Sequence, residues 1–288
     1  WLPPSRFAML SGISQFAGTG GGILGQAPLA ALVGIIGWRD AMLGIGLAGL
    51  ALALALWLVA RDKPYAGSGS GTIMGGLKRV VANRQSWYAA LLGMFMTAPM
   101  LSFTGLWAVP YLTAAYGIDR AASASTLATS FLGWGVGAIA IGWLSDRMER
   151  RKPLLIAGTA LSMLTLTAIL YLPGLSLLLV TVLLFLNGFA SACMVLTFAS
   201  ARELNAPRSS GAAYGLVNTC VVGSGAIFQP LLGYLLDLNW TGQMEAGARL
   251  YSVEAFHAAF LILPVCCGIS VLCAMLIRET HCRQQVDG

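Results

Sequence analysis

Eight apolar runs, near residues 7–36, 39–60, 87–115, 121–143, 154–172, 175–200, 210–236 and 255–277, leave this chain little choice of fold. A helix needs about 20 mostly apolar residues to cross the hydrocarbon of a bilayer, and each run is long enough. Lipid offers no water to satisfy a backbone N–H or C=O, so a spanning segment must bond within itself, as a helix does. Composition agrees: 57% of residues are hydrophobic and 10% charged, with a mean hydropathy of +0.77. A soluble domain carries roughly a quarter charged residues, so the chain reads as an all-α integral membrane protein.

The loops set orientation. One set of turns comprises Trp1–Arg6, Arg61–Ser86, Ser145–Pro153, Ala201–Ser209 and the tail from Arg278. It holds every Lys and Arg except Arg39, Arg120 and Arg249. Cations stay on the cytoplasmic side of a membrane, which places this set and the C-terminus in the cytoplasm of a multi-pass plasma (inner) membrane protein. The same rule accounts for the net charge of +6 without a nucleic-acid partner. Five of the six cysteines lie in apolar runs, none forms a Cys-x-x-Cys pair, and only two histidines exist. Small buried thiols are expected, not a metal site.

Between the fourth and fifth runs stands the densest charge cluster, Gly142-Trp-Leu-Ser-Asp146-Arg147-Met-Glu-Arg150-Arg151-Lys152-Pro153. Hydrocarbon cannot hold it, so it is a turn in water. Its spacing, Gly-x-x-x-Asp-Arg-x-x-Arg-Arg, resembles the signature loop of the major facilitator superfamily of secondary transporters. Glu149 stands where that family usually has Gly, which predicts a less tight turn. An internal repeat points the same way. Ungapped, Pro4 meets Pro207, Gly12 meets Gly215, Gln15 meets Asn218 and Gln26 meets Gln229. Parallel repeats between two halves are how such transporters are built.

The resemblance makes residues 7–36 the fifth helix of that fold and 210–236 its eleventh, and puts the charged turn between helices eight and nine. The expected architecture is a partial major facilitator superfamily fold with eight of twelve transmembrane helices. Residues 1–60 hold the last two helices of the N-terminal half. Residues 61–86 form a cytoplasmic linker with an amphipathic helix carrying Ile73, Leu77, Val80 and Val81, and 87–288 are the C-terminal six-helix half. By the same symmetry the chain is read as part of a transporter of roughly 400 residues.

Gln15 and Gln26 are eleven residues apart, which puts them on one helix face about 16 Å apart. Asn218 and Gln229 repeat that spacing, and Asn187 is a further amide inside an apolar run. A buried amide must be paired or wet, so these five either face a substrate cavity or bind neighbouring helices together. Phe103 and Trp107 are candidates for an apolar cavity wall. Pro99 and Pro110 weaken the ladder of the same helix. Gly133, Gly135 and Gly137 are expected to pack against the fifth helix across the seam between halves.

The resemblance also implies a cytoplasmic gate built from Gly142, Asp146, Arg147, Arg150 and Arg151. In it Asp146 faces the start of the fifth helix, near Pro4–Phe7, and the arginines tether Asp146, Glu203 or lipid phosphates. Neutralising Asp146 is expected to lower transport and leave insertion intact. No Asp, Glu, Lys or Arg lies deep in any run, which favours a small polar organic solute over a polyanion. Efflux of amphiphilic drugs is the alternative within the class. An enzyme lacks the paired carboxylates or nucleophile it would need, and a channel lacks rings of pore-lining groups. The expected partners are a small-molecule substrate and the bilayer, the expected state a monomer. No cofactor is expected, with protons the candidate coupling ion.

Overall fold

The computed structural model describes residues 13–14, 17–18, 27–59, 73–245 and 248–286. Gln15 and Gln26, the Pro4–Phe7 segment and most of the first glycine-rich run lie outside them. The chain divides into two compact units. One contains α1 (Ala27–Ile36) and α2 (Trp38–Val59), joined at Gly37, whose φ of 83° lies in the left-handed region that favours glycine. The Arg39 guanidinium lies 4.4 Å from the centre of the Trp38 ring, a cation over an aromatic face.

The second unit holds α3 (Ile73–Ala82), α4 (Arg84–Pro99), α5 (Ala108–Tyr116), α6 (Arg120–Met148), α7 (Lys152–Tyr171), α8 (Leu177–Ser191), α9 (Val195–Glu203), α10 (Ser210–Leu238), α11 (Val253–Phe260) and α12 (Ile262–Leu276). Ribbon β1–β2 (Met244–Glu245 and Ala248–Arg249) is a small antiparallel hairpin between α10 and α11. Seven stretches among the described residues are long and apolar enough to cross a membrane. They correspond to seven of the eight expected runs, and the remaining run is described only from Ala27 to Ile36 apart from four residues before it.

Side-chain caps explain several helix starts. Asn83 accepts the Gln85 N–H at 3.0 Å, Asp119 that of Ala122 at 2.6 Å, and Ser176 that of Leu179 at 3.3 Å. Each satisfies one of the amides that a first helical turn leaves without a partner. Between α4 and α5 the chain winds as a π-helix over Met100–Trp107. The two prolines expected to weaken this span flank the stretch: Pro99 precedes it, and Pro110 follows without the N–H that an α-helix would direct to the Leu106 carbonyl.

α4 packs between α10 and α12, while α6 lies along α8. Glycines make the second contact possible. A Cβ on Gly188 would stand 1.9 Å from the Ser130 carbonyl oxygen, one on Gly133 2.1 Å from that of Phe185, and one on Gly137 2.5 Å from that of Phe189. Gly133 and Gly137 therefore serve α8, a helix of the same unit, while most of the fifth helix expected beside them lies outside the described residues. Backbones this close leave no room for any side chain, which is how small residues hold helices together in lipid.

The turns cluster as the cation count requires. At one end Asn83 donates to the Leu204 carbonyl at 2.9 Å, Asn205 donates to Ser86 at 2.8 Å, and the Arg278 N–H reaches Gln85 at 2.8 Å. α3 belongs to this end too, with Val80 fully buried and Met74 exposed. The other end is aromatic. Tyr171 donates to the His257 carbonyl at 2.9 Å and Tyr111 to that of Ile169 at 3.2 Å. Rings with one polar tip suit the boundary between lipid and water.

Candidate functional site

The charged turn is ordered around one buried cation. α6 closes with Glu149 at φ 51°. Its N–H bonds to the Asp146 carbonyl at 3.4 Å and the next, from Arg150, to the Ser145 carbonyl at 3.3 Å. This paired closure is the Schellman pattern, which usually ends on glycine. Glu149 thus adopts the conformation glycine would, and the turn is not loosened as the sequence predicted. Two backbone bonds and the 2.9 Å bond from Ser145 Oγ to the Arg150 carbonyl hold it there against the left-handed strain.

The turn delivers Arg151 inward, where only 1% of its surface is exposed. Nη1 donates to Asp146 at 2.7 Å and to Ser145 Oγ at 3.0 Å, and Nη2 donates to Glu203 at 2.8 Å. Burial opposes the charge of the guanidinium, but Glu203 and Asp146 outweigh it and push its pKa up. Thr280 donates its hydroxyl to Glu203 from the C-terminal segment. The next residue back, Glu279, accepts the N–H groups of Arg151 at 2.8 Å and Lys152 at 3.1 Å, capping α7 from far along the chain. The Gln285 N–H closes the arrangement on the Glu203 carbonyl at 2.8 Å. Loop, α9 and tail are one hydrogen-bonded assembly.

Of the predicted gate residues, Arg151 ties the turn to α9 through Glu203. Gly142 is buried within α6. Arg147 lies 5.2 Å from the centre of the Trp143 ring, and Arg150 is exposed. The parts that sequence reasoning missed are Glu279 and Thr280. Their signal was faint: one acidic residue directly after the last apolar run.

The predicted cavity residues separate. Asn187 is buried and its amide donates to the Ser162 carbonyl at 3.0 Å, Ser162 Oγ at 3.1 Å and Thr165 Oγ1 at 3.1 Å. It binds α8 to α7. Phe103 is 1% exposed, packed edge-on against Phe260 and Tyr111 at ring distances of 5.4 and 6.0 Å. The structure puts it in the bundle core and not on a cavity wall, because its ring completes an aromatic cluster. Trp107 is half-buried against Tyr251, with Nε1 finding no hydrogen-bond partner among the described residues. Gln229 spends its amide on the Leu101 carbonyl, in the π-helix, at 3.0 Å. Asn218 differs. It is exposed within its unit, on the face of α10 that carries Gly215 and Val222, and no described residue hydrogen-bonds its side chain.

Comparison with known proteins fixes the family. The sequence profile described as Major Facilitator Superfamily matches residues 90–285. The chain belongs to the major facilitator superfamily. It is 34% identical over 198 residues to a chloramphenicol resistance protein of Pseudomonas aeruginosa, covering 62% of this chain and 45% of that protein. It is 24% identical over 286 residues to the membrane sensor protein UhpC of Salmonella typhimurium, covering 91% of this chain and 62% of that protein. The chain therefore spans about half the length of the curated relatives it matches. The crystal structure of the transporter FucP in an outward conformation superposes with a TM-score of 0.69 at 15% identity, over 97% of this chain and 70% of that one. A second FucP structure, titled as the E. coli fucose:proton symporter, gives 0.60 at 16% identity, over 84% and 55%. These likenesses establish the fold.

As a member of the major facilitator superfamily the chain is an integral multi-pass membrane protein. The charged turn, whose spacing resembles the family's signature loop, lies in the unit containing α3 to α12. In that unit the loop is locked to α9 and the tail.

Proposed function

We propose that the whole protein is a secondary active transporter that moves a small polar organic solute by alternating access, with protons as the coupling ion. It would sit in the inner membrane with the charged turns and the C-terminus in the cytoplasm, as the distribution of Lys and Arg favours. The observation that carries the reading is Asn218: an amide well inside a spanning helix whose hydrogen-bonding capacity no described residue takes up. An amide costs too much in hydrocarbon to be left unmet, so a polar solute or water in a central path is its natural partner. No charged side chain lies deep in the described spans, which favours neutral or zwitterionic solutes.

The test is counterflow in proteoliposomes against a panel of sugars, amino acids and organic acids, with and without an imposed pH gradient. Saturable exchange of one solute class, lost in Asn218→Leu with the protein still inserted, supports the reading. Normal exchange in that variant, or flux that never saturates, removes it. A second reading, export of amphiphilic drugs, draws on the 34% identity to the chloramphenicol resistance protein. Reduced chloramphenicol accumulation in cells expressing the protein would favour it.

A further inference from the structure

A cleft of about 540 Å³ opens beside the charged turn, and neither the ion-pair network nor the transport reading uses it. Its polar rim is Arg150, Lys152 and His281, and its apolar floor is Pro153, Ile156 and Ala157. The three basic side chains make no hydrogen bond or ion pair with any described residue. Glu279 also borders the cleft, but its carboxylate is occupied. It accepts four backbone N–H groups, those of Arg151, Lys152, Thr280 and His281, at 2.8, 3.1, 3.0 and 3.3 Å. The amides at the start of α7 are therefore already capped, and what the cleft offers an anion is its side chains. The rim is held in an unusual backbone: among the described residues Glu149, His281 and Cys282 are the non-glycine residues with positive φ, at 51°, 52° and 56°. Residues stay in that region only where the surroundings over-determine them.

The floor continues along the membrane span. Pro153, Ala157, Leu161 and Leu164 recur at the spacing of one helix face. Leu161 is 40% exposed and Leu164 63%. A cationic cleft thus opens onto an exposed apolar strip that runs along α7. A soluble anion would use the rim and ignore the strip. A ligand with an anionic head and an apolar tail would use both.

We propose that this cleft binds one anionic glycerophospholipid, its phosphate between Arg150, Lys152 and His281 and an acyl chain along Ala157, Leu161 and Leu164. Because Arg150 and Lys152 flank Arg151, the lipid would rest against the same turn that holds α9 and the tail. The inference does not depend on the identity of the solute or on coupling.

Native mass spectrometry of the intact protein in detergent provides the test, with phosphatidylglycerol and phosphatidylcholine of the same chain length as probes. One phosphatidylglycerol should bind saturably, and phosphatidylcholine at least about tenfold more weakly. The combined Arg150→Ala, Lys152→Ala, His281→Ala variant should lose at least about tenfold in affinity for phosphatidylglycerol. Arg278→Ala, which removes a charge at the same end but outside the cleft, should bind as the parent does. Ala157→Trp fills the floor and leaves every charge in place, and should also abolish the bound lipid. It decides the matter if the triple variant fails to fold. Equal binding of both lipids, unchanged binding in Ala157→Trp, or displacement of the lipid by inorganic phosphate at millimolar concentration (a soluble anion on the rim) would each overturn the proposal. Transport measurements play no part, so a failed solute assay and a failed lipid assay are separate results.

Discussion

Arg151 and Glu203 meet at 2.8 Å, with 1% and 10% of their side chains exposed. Taking two charges out of water is expensive, and Coulomb attraction offsets it only with good geometry and further hydrogen bonds. Here Ser145, Asp146 and Thr280 supply those bonds. Removing one partner strands the other. Arg151→Gln is expected to cost about 3–5 kcal/mol, read as a lowered unfolding temperature in detergent. Adding Glu203→Gln to it should recover part of the loss, because the stranded carboxylate is then gone. If the double variant were as damaged as the sum of the singles, the two residues would not be coupled.

Glu279 makes the tail acid-sensitive. Burial alone would raise its carboxyl, but the backbone N–H groups of Arg151, His281, Lys152 and Thr280 outweigh burial and hold it below its ordinary 4.5. A depressed carboxyl contributes stability that is complete above the unfolded value and fades as pH falls through the lower folded value. Glu279→Gln should therefore be less stable than the parent near neutral pH, with the gap closing once pH drops below 4.5. Unfolding temperatures of both proteins across that range give the answer, and a gap that widens in acid contradicts it.

Glu149 carries removable strain. A non-glycine residue in the left-handed region costs about 1–2 kcal/mol, and part of that gain is offset by the greater freedom of glycine in the unfolded chain. Glu149→Gly is expected to stabilise the protein by about 0.5–1 kcal/mol. Chemical unfolding in detergent would show it as a higher midpoint. The ion pair lost in that variant, to Arg283 at 4.0 Å, is exposed and worth little.

Gly188 sets the distance between α6 and α8. The smallest addition, Gly188→Ala, meets the Ser130 carbonyl and must push two backbones apart, at a cost of about 1–3 kcal/mol. Lowered thermal stability in detergent checks this. Gly174→Ala offers a contrast, since open space surrounds that position but its φ of 72° resists a side chain. Its loss should come from turn strain alone and leave helix packing intact.

Seven of the expected spans, and the gathering of cation-bearing turns at one end of the second unit, were legible because both follow from solvent preference, which composition records directly. The charged turn was legible in its residues but not in its shape. Glu149 looked wrong for a tight turn until the bonds at Ser145 and Asp146 were seen to hold it. Small residues report a close approach and not the identity of the neighbour, so the fit of Gly133 and Gly137 against α8 could not be read from the sequence. Phe103 and Asn187 were read as cavity residues because an aromatic or an amide in an apolar run has the same sequence signature in a core as on a wall. Glu279 had no periodic context to make it stand out.

The buried ion pair also carries a consequence for biosynthesis. Arg151 and Glu203 leave the ribosome well before Thr280 and Gln285, which complete their setting. Until the Val253–Leu276 span is inserted and the segment through Gln285 is made, a nascent chain must carry those two charges incompletely solvated or keep them wet. The order of manufacture thereby makes synthesis of the Glu279–Gln285 segment the moment at which this face of the molecule closes, and a product cut short before Glu279 would leave the membrane-insertion machinery with that face unsealed.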